Sequence, residues 1–257
     1  SVGATENLII ASCLADGHTI LKNCAIEPEI KDLTMFLNKA GAKIKWIGKR
    51  TIKISGVKSL KKVEYSIMGD RIECGTFCVA ATLTQGNLKI KGFNPKLINT
   101  ELNLLKKVGA NIKIFKNEIN IRGPKKIKNI KFLKTKEYPY FATDLQAQFM
   151  VLFCKGVGRS IISETIFENR FMHVGELRRL GAKISIKNNK AIIEGGANFE
   201  GAELMSSDLR ASVALVLAAL TAEGESIINR IYHLDRGYEK LEYKLKQIGA
   251  NIRRINK

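Results

Sequence analysis

The sequence predicts an α/β protein in which one unit of helices and strands is repeated four times. Two glycine signals carry this prediction. A Gly-Ala-x-Ile signal recurs at intervals of 68, 72 and 68 residues, and another glycine precedes each copy by 23 to 25 residues. The copies begin at Gly41, Gly109, Gly181 and Gly249, and the upstream glycines are Gly17, Gly86, Gly158 and Gly224.

In each unit, a first helix is expected to end near the upstream glycine, because glycine tolerates the left-handed backbone common at helix C-termini. A short strand rich in β-branched residues should follow. The predicted strands are 18–21, 87–90, 159–162 and 225–228.

A second helix should follow the strand, since apolar residues recur at helical spacing, as at Val174, Leu177 and Leu180. It ends at the Gly-Ala signal. Two strands around a polar turn then close the unit, as at 182–186 and 191–193. The unit is βαβαββ-like, with its first strand supplied by the preceding segment, and its helices should face inward against those of neighbouring units.

Composition narrows the function classes. The 43 Lys and Arg residues outnumber the 24 Asp and Glu residues by 19, but they are scattered and few aromatic residues stand among them. This pattern disfavours a dedicated nucleic-acid surface and favours small anionic substrates. The longest apolar run, 211–222, is shorter than the ~20 residues that a membrane span needs. The five cysteines follow no disulfide or metal-ligand spacing, which is typical of a reducing cytoplasm.

Acidic residues stand at the starts of three predicted first helices. Asp70 and Asp208 are expected to be ordinary N-caps, whose carboxylates accept bonds from free backbone N–H groups. Asp144 follows an aromatic, proline-containing approach, 138–141, which can hold a base in a partly dry cleft. Capping and base catalysis both stay open for Asp144.

The arginines suggest an anion site. Arg170 and Arg236 each lie 12 residues after their upstream glycine, and Arg210 lies at a first-helix start, where a cation opposes the helix dipole. Guanidinium groups near helix N-termini suit phosphate and carboxylate ligands. The alternative is a set of structural ion pairs, in which Asp208 pairs with Arg210, and Asp235 or Glu168 with a neighbouring arginine. The three histidines are not at metal-ligand spacing and are expected to be structural.

Seven sequence blocks, in order, resemble the UDP-N-acetylglucosamine enolpyruvyltransferases over essentially the whole chain. They are Ser-Val-Gly-Ala-Thr-Glu-Asn (1–7), Glu-Pro-Glu-Ile (27–30), Asp-Arg-Ile-Glu-x-Gly-Thr-Phe (70–77), Thr-Asp-Leu-Gln-Ala-Gln (143–148), Phe-Glu-Asn-Arg-Phe-Met-His-Val (167–174), Ser-Asp-Leu-Arg-Ala-Ser (207–212) and Ile-Tyr-His-Leu-Asp-Arg-Gly-Tyr-Glu (231–239).

The resemblance implies a fold of two domains with three units each, an inside-out α/β barrel, of which four units are present here. Residues 1–68 would be the last unit of an otherwise missing upstream domain, and residues 69–257 a three-unit second domain. The missing part would hold a mobile loop with a catalytic cysteine. The chain alone is therefore expected to be inactive.

The implied reaction transfers enolpyruvyl from phosphoenolpyruvate to the 3-hydroxyl of UDP-N-acetylglucosamine and releases phosphate, the first committed step of peptidoglycan precursor synthesis. It implies a cytoplasmic enzyme with no metal, no cofactor, and no nucleic-acid, membrane or obligate protein partner. Two alternatives are a 5-enolpyruvylshikimate-3-phosphate synthase-like enzyme and a basic nucleic-acid-binding repeat protein.

The resemblance also assigns site residues. Asp144 matches the candidate general base, and Arg170, Arg210 and Arg236 match arginines at the phosphoenolpyruvate end, with Arg236 taken as catalytic. The remaining substrate-binding assignments are Ser1 and Val2, which match a pair that binds the uridine diphosphate part, Ile166, which matches a contact to the sugar nucleotide, and Gly3 and Glu168. Ala142 departs from the family, where proline is common at this position.

Overall fold

The computed structural model describes residues 1–255, and these divide into two compact units. One comprises residues 1–69 with 137–139, and the other comprises residues 70–136 with 140 onward. The predicted α/β class is confirmed in both. The last two residues of the predicted 69–257 domain lie outside the described residues.

The first compact unit contains one sheet and two helices. Its elements are α1 (Val2–Cys13), β1 (His18–Lys22), α2 (Pro28–Lys39), β2 (Lys43–Gly48) and β3 (Thr51–Ser55). The strand order is β1-β3-β2, and β3 is antiparallel to both neighbours. Ile9 of α1 and Ile30 of α2 are fully buried with Ile52 and Ile54 of β3, so both helices pack on one face of the sheet.

The second compact unit continues the repeat. Its elements are α3 (Arg71–Leu83), β4 (Asn87–Lys91), α4 (Asn99–Lys107), β5 (Asn111–Ile114), β6 (Glu118–Arg122), β7 (Phe132–Lys134), α5 (Gln146–Lys155), β8 (Arg159–Ser163), α6 (Val174–Arg179), β9 (Lys183–Lys187), β10 (Lys190–Glu194), β11 (Glu203–Met205), α7 (Leu209–Ala219), β12 (Ile227–Asn229), α8 (Tyr232–Asp235) and α9 (Leu241–Gln247).

Three sheets share one topology. The orders β1-β3-β2, β4-β6-β5 and β8-β10-β9 each place the last strand of the repeat between the two earlier strands, antiparallel to both. The third sheet gains β7, which pairs in parallel with β8, and β11 pairs in parallel with β12 in the same way. These two added strands are the leading strands that the βαβαββ pattern predicts.

The Gly-Ala signal is a repeated helix stop. All four glycines have positive φ, from 101° to 113°. After α6, for example, the Gly181 N–H bonds to the oxygen of Arg178 and the Ala182 N–H bonds to the oxygen of Leu177. The same pair of bonds recurs at the other three copies. This is the Schellman arrangement, which requires a residue that tolerates left-handed backbone.

The first helices form the core of the second compact unit. Helices α3, α5 and α7 are mostly buried, and α5 contacts both of the others. In α5 every residue from Gln146 to Cys154 is buried. The predicted inward packing is therefore confirmed for the first helices of this unit.

Two details of the prediction are wrong. The first helices end near the upstream glycines, but these glycines do not cap them: the C-caps of α1, α3, α5 and α7 are Leu14, Thr84, Gly156 and Leu220, and after α3 the left-handed residue is Gln85 with φ 57° rather than Gly86. The strand predicted at 225–228 begins two residues later, as β12, where pairing with β11 starts. Within residues 1–255, none of the helices has the length and apolar character to cross a membrane.

Candidate functional site

Asp144 lies in a single turn of 3-10 helix, Thr143–Leu145, that precedes α5. The helix itself begins at Gln146, and no side chain caps either the turn or the helix. The starts of α3 and α7 differ, because Asp70 and Asp208 each accept hydrogen bonds from two backbone N–H groups. The capping prediction is confirmed for Asp70 and Asp208, whereas the Asp144 carboxylate has other partners.

Two arginines hold one oxygen of the Asp144 carboxylate. Arg170 Nη2 donates to Oδ1 at 2.8 Å, and Arg210 Nε donates to the same oxygen at 3.0 Å. The side chains are partly buried, with 32% of Asp144, 23% of Arg170 and 20% of Arg210 exposed. The other oxygen, Oδ2, forms no hydrogen bond to the described residues of its compact unit. The site thus combines a fixed carboxylate with one open oxygen.

Burial and pairing act in opposite directions on Arg210. Burial disfavours the charged form, but the negative charge of Asp144 and the bond between them favour it, and the pKa of Arg210 is raised overall. Arg170 has a further contact, since its guanidinium carbon lies 4.8 Å from the centre of the Phe167 ring. Arginine stays protonated in proteins, so two positive charges face one carboxylate and leave a local excess that suits an anion.

A buried polar network fixes the backbone beneath Asp144. Gln148 Nε2 donates to the backbone oxygen of Asp144 at 3.0 Å and to Thr76 Oγ1 at 3.1 Å. The hydroxyls of Thr76 and Tyr238 lie 2.9 Å apart. Burial raises the pKa of Tyr238, although the hydrogen bond to Thr76 and the charge of Arg210 act against it. Side chains of α3, of α5 and of the segment after α8 therefore meet under the carboxylate.

Arg236 lies two residues before Tyr238, directly after α8. Its side chain is exposed and forms no ion pair within the described residues of its compact unit. The Tyr238 anchor keeps this segment next to the buried network, because Tyr238 itself is almost fully buried. Arg236 is therefore a cation near the site whose charge no neighbouring carboxylate takes up.

The predicted alternative of local ion pairs is wrong in its partners. Asp208 accepts from the backbone N–H of Arg210, at 2.8 Å, while the guanidinium of Arg210 reaches Asp144. Asp235 pairs with Arg254. Among the described residues, Asp208 and Asp235 thus form no ion pair with the neighbouring Arg210 and Arg236. Arg210 pairs with Asp144 instead, and Arg236 is exposed to solvent.

Ile166 and Glu168 lie on the same loop as Arg170, between β8 and α6. Ile166 is half-buried, and its backbone N–H donates to the carboxylate of Glu164 at 2.7 Å. Glu168 is exposed and forms no hydrogen bond or ion pair with the described part of its compact unit. The structure brings both residues near Arg170 along the chain and leaves their predicted binding roles untested.

Ser1, Val2 and Gly3 belong to the first compact unit. Ser1 caps α1, where its Oγ accepts from the backbone N–H of Ala4 at 3.4 Å. Val2 and Gly3 form the first turn of this helix and are exposed. Their assignment as substrate-binding residues stays a prediction.

His173, which the sequence marks as structural, is buried near Arg170 and Asp208. Burial, and to a smaller extent the positive charge of Arg170, lower the pKa of His173, while the negative charge of Asp208 acts in the opposite direction. The resulting pKa is about 4. Its Nε2 has no hydrogen-bond partner among the described residues. The five cysteines are all buried and reduced. Within residues 1–255, no group of His, Cys, Asp or Glu side chains is arranged to hold a metal ion.

Sequence reasoning missed two buried carboxylates next to Asp144. Glu101 of α4 accepts from the backbone N–H of Ala142 at 3.1 Å, and Glu164 accepts from the hydroxyl of Thr143 at 2.9 Å. Burial raises the pKa of Glu101, and the bond from Ala142 acts against this. The Ala142 departure is thereby explained in structural terms, because proline has no N–H to donate to Glu101. Only the position of Glu164, just before the 167–174 block, pointed to either residue.

The arrangement can accept a proton and bind an anion at the same place. Oδ2 of Asp144 is open, and a carboxylate within hydrogen-bond reach of a hydroxyl can act as a general base. Guanidinium groups bind phosphate and carboxylate groups with two parallel hydrogen bonds. The geometry therefore fits chemistry in which a hydroxyl reacts with an anionic substrate.

Comparison with known proteins identifies the family. The sequence model of the family described as EPSP synthase (3-phosphoshikimate 1-carboxyvinyltransferase) matches residues 1–245. The chain belongs to this family. Among its relatives is a UDP-N-acetylglucosamine 1-carboxyvinyltransferase from Pelagibacter ubique (strain HTCC1062), 66% identical over 256 residues, which are 100% of this chain and 61% of the relative. Family members of the same name from Trichlorobacter lovleyi and Rickettsia bellii are 48% and 49% identical.

The chain spans 61% of the length of these relatives. The aligned part is 100% of this chain for the Trichlorobacter protein and 99% for the Rickettsia protein. Among solved structures, the enolpyruvyl transferase NikO from Streptomyces tendae has a TM-score of 0.88 and 27% identity, over 98% of this chain and 60% of NikO. EPSP synthase from Acinetobacter baumannii has a TM-score of 0.75 over 100% of this chain and 62% of that one, and at 18% identity it shows the shared fold alone. The resemblance to UDP-N-acetylglucosamine enolpyruvyltransferases is confirmed.

Proposed function

We propose that the protein to which this chain belongs transfers enolpyruvyl from phosphoenolpyruvate to the 3-hydroxyl of UDP-N-acetylglucosamine and releases phosphate. The observation that carries the proposal is the Asp144 carboxylate, whose Oδ1 is held by Arg170 and Arg210 while Oδ2 is open. Relatives of 48% to 66% identity bear the name of this enzyme, which favours it over a 5-enolpyruvylshikimate-3-phosphate synthase.

In the addition step, the 3-hydroxyl oxygen attacks C2 of phosphoenolpyruvate, its proton passes to Asp144 Oδ2, and C3 takes up a proton. This gives a tetrahedral intermediate in which C2 carries both the sugar oxygen and the phosphate. In the elimination step, the bond between C2 and the phosphate oxygen breaks and C3 gives up the proton it gained, so the double bond returns; the proton held by Asp144 passes to the departing phosphate, which restores the carboxylate. The net products are the enol ether and phosphate, and no electrons are gained or lost.

The arginines have different proposed roles. Arg170 and Arg210 orient Asp144 and present positive charge beside it, and Arg236 binds the phosphate or carboxylate of phosphoenolpyruvate. Preorganised cations stabilise charge that develops on these groups, since they need not reorient during the reaction. Ile166 and Glu168 would contact the sugar nucleotide, and Ser1, Val2 and Gly3 its uridine diphosphate part.

The proposed reaction would be the first committed step of peptidoglycan precursor synthesis, and through the cell wall it would contribute to cell shape and division. Phosphoenolpyruvate and the sugar nucleotide are metabolites of the cytoplasm, which is the proposed location. None of the proposed steps requires a metal or a cofactor.

A direct test uses a chain completed to the length of its relatives and supplied with phosphoenolpyruvate. Phosphate release and the mass of the product would be measured with UDP-N-acetylglucosamine and, separately, with shikimate 3-phosphate. We expect product when UDP-N-acetylglucosamine is the acceptor and none when shikimate 3-phosphate is the acceptor. An Asp144→Asn variant of the same chain serves as the control and should give almost no product. Product with shikimate 3-phosphate alone would contradict the proposal. The chain as it stands should release no more phosphate than its own Asp144→Asn variant.

A second test separates the two substrates. Arg236→Lys keeps the charge but loses the two-pronged guanidinium, so the KM for phosphoenolpyruvate should rise about 10-fold. The KM for UDP-N-acetylglucosamine should change less than about 2-fold. Arg254→Lys is a matched control, because Arg254 is occupied by Asp235 and Glu242. Equal effects of Arg236→Lys on both substrates would remove Arg236 from the phosphoenolpyruvate site.

A further inference from the structure

The carboxylate of Glu164, directly after β8, is buried with 2% of the residue exposed. Its Oε1 accepts three hydrogen bonds, from Thr135 Oγ1 at 2.9 Å, from Ile166 N at 2.7 Å and from Phe167 N at 3.1 Å. Its Oε2 accepts from Thr143 Oγ1 at 2.9 Å. A buried carboxylate is costly unless donors surround it, and four donors satisfy this one.

These donors come from three separate segments. Thr135 follows β7, Thr143 begins the turn that carries Asp144, and Ile166 with Phe167 begins the loop that carries Arg170. The carboxylate of Glu164 therefore connects the segment that carries Asp144 to the segment that carries Arg170. The link is short, because Thr143 is the direct neighbour of Asp144 in the chain.

Thr135 is itself held by two hydrogen bonds to Thr165, the residue after Glu164. Its Oγ1 accepts from the backbone N–H of Thr165 at 2.9 Å, and its backbone oxygen accepts from the Thr165 hydroxyl at 2.6 Å. The strand β7 is paired in parallel with β8, so the end of the sheet provides a rigid base for Glu164. A group built on a sheet end is held more closely than one on a free loop.

The Thr143 bond completes the fixation of the Asp144 turn. On its N-terminal side, Ala142 N–H donates to the buried Glu101, and on its C-terminal side, Gln148 holds the backbone oxygen of Asp144. Neither contact reaches the loop of Arg170. Glu164 alone among these three anchors connects both segments, through Thr143 and through the amides of Ile166 and Phe167.

We propose that Glu164 is a positioning residue for enolpyruvyl transfer. It does not touch the reacting atoms. By holding Thr143 on one side and the start of the 166–170 loop on the other, it sets the distance between Asp144 and Arg170 and the direction in which Oδ2 faces. The proposal rests on the proposed function, since the reaction that benefits from this geometry is the transfer step.

The test removes the one bond that joins Glu164 to the Asp144 turn. In a chain completed to the relatives' length, Thr143→Val should lower kcat about 10- to 100-fold, because small misplacements of a catalytic group are costly. The KM values for both substrates should stay within about 2-fold, and Tm within about 3 °C. Thr143→Ser, which keeps the hydroxyl, should restore kcat to within about 3-fold of the parent. Parent-like kcat in Thr143→Val would overturn the proposal.

A second measurement separates this proposal from the proposed function. In the chain as it stands, amide hydrogen exchange at 143–146 and 166–170 should be faster in Thr143→Val than in Thr143→Ser, while exchange in α9 should match. Equal exchange in the two variants would show that the Thr143 bond does not couple the segments. A completed parent chain without transfer would overturn the proposed function, and the exchange result would still decide the coupling.

Discussion

The starts of α3 and α5 occupy the same position in successive repeats, yet their aspartates do different things. Asp70 bonds the N–H groups of Ile72 and Glu73 at 2.7 and 3.0 Å and so closes the end of α3. Asp144 stands one turn ahead of α5 and bonds two arginines instead. The single added turn frees a carboxylate that the repeat otherwise uses for capping. A repeated scaffold thus gains a chemical site by a local departure from its own pattern.

The largest expected effect is the loss of turnover when Asp144 is replaced. In a chain completed to the relatives' length, Asp144→Asn should lower turnover at least about 100-fold through loss of the base. Its unfolding free energy should change by about 1 kcal/mol or less, because the amide oxygen still accepts from both arginines. Steady-state kinetics and urea unfolding would measure the two quantities.

Asp70→Ala is the matched variant and should show the opposite pattern. Loss of an N-cap costs about 1 kcal/mol of stability, while turnover should stay close to that of the parent. Near-normal turnover in Asp144→Asn would return Asp144 to a structural role, and a large loss of turnover in Asp70→Ala would erase the contrast between the two helix starts.

A second prediction concerns the start of α7, where Asp208 caps the helix near the buried His173. The folded pKa of His173 is lowered to about 4, below the unfolded value of about 6.5. The unfolded chain therefore binds a proton first, and stability that is present above about pH 6.5 is lost as pH falls toward about 4. The full loss is roughly 3 kcal/mol.

Urea unfolding between pH 4 and pH 7 would test this, with His173→Gln as the variant without a titrating ring. The difference in unfolding free energy between parent and variant should change over this window and level off above it. A difference that does not depend on pH would mean that Asp208 pairs with a charged His173 as well as capping α7.

The smallest expected effect concerns the backbone N–H of Ala142, next to the added turn. Ala142 has φ −70°, which proline can adopt, but Ala142→Pro removes the N–H that bonds the buried Glu101. Loss of this bond should outweigh the gain from a stiffer unfolded chain and lower stability by about 1 kcal/mol. Thermal unfolding would measure it, and Ala142→Gly, which keeps the N–H, is the control. A more stable Ala142→Pro would show that Glu101 does not anchor the turn.

Sequence reasoning succeeded where a local pattern has one physical cause. The Gly-Ala pairs predicted four helix ends, because glycine there accepts the left-handed backbone that the Schellman bonds need. Asp70 and Asp208 were predicted as caps for a similarly local reason. Gln85 shows the limit, since a non-glycine residue takes the left-handed position and the pattern does not reveal it.

The site was only partly predictable because its contacts join distant segments. Arg210 donates to Asp144, although Asp208 is only two residues away in the chain. Thr143 donates to Glu164, from which α5 and β8 separate it in sequence. The sequence pattern identified Asp144 and the arginines as candidate site residues. It could not show that both guanidinium groups meet the same carboxylate oxygen, which depends on how α5, α7 and the loop before α6 pack.

The strand order of the repeat has a consequence for how the chain folds during synthesis. In each of the three sheets, the last strand to be made pairs with both earlier strands of its repeat: β1 ends at Lys22, but its partner β3 begins only at Thr51, and β2 pairs with β3 as well. Until β3 or β6 emerges, the two earlier strands of its repeat have no partner and their edges stay open; in the third sheet β8 can pair with β7, but β9 still has no partner before β10 is made. Each repeat therefore waits for its own last strand before its sheet can close, which favours folding one whole repeat at a time.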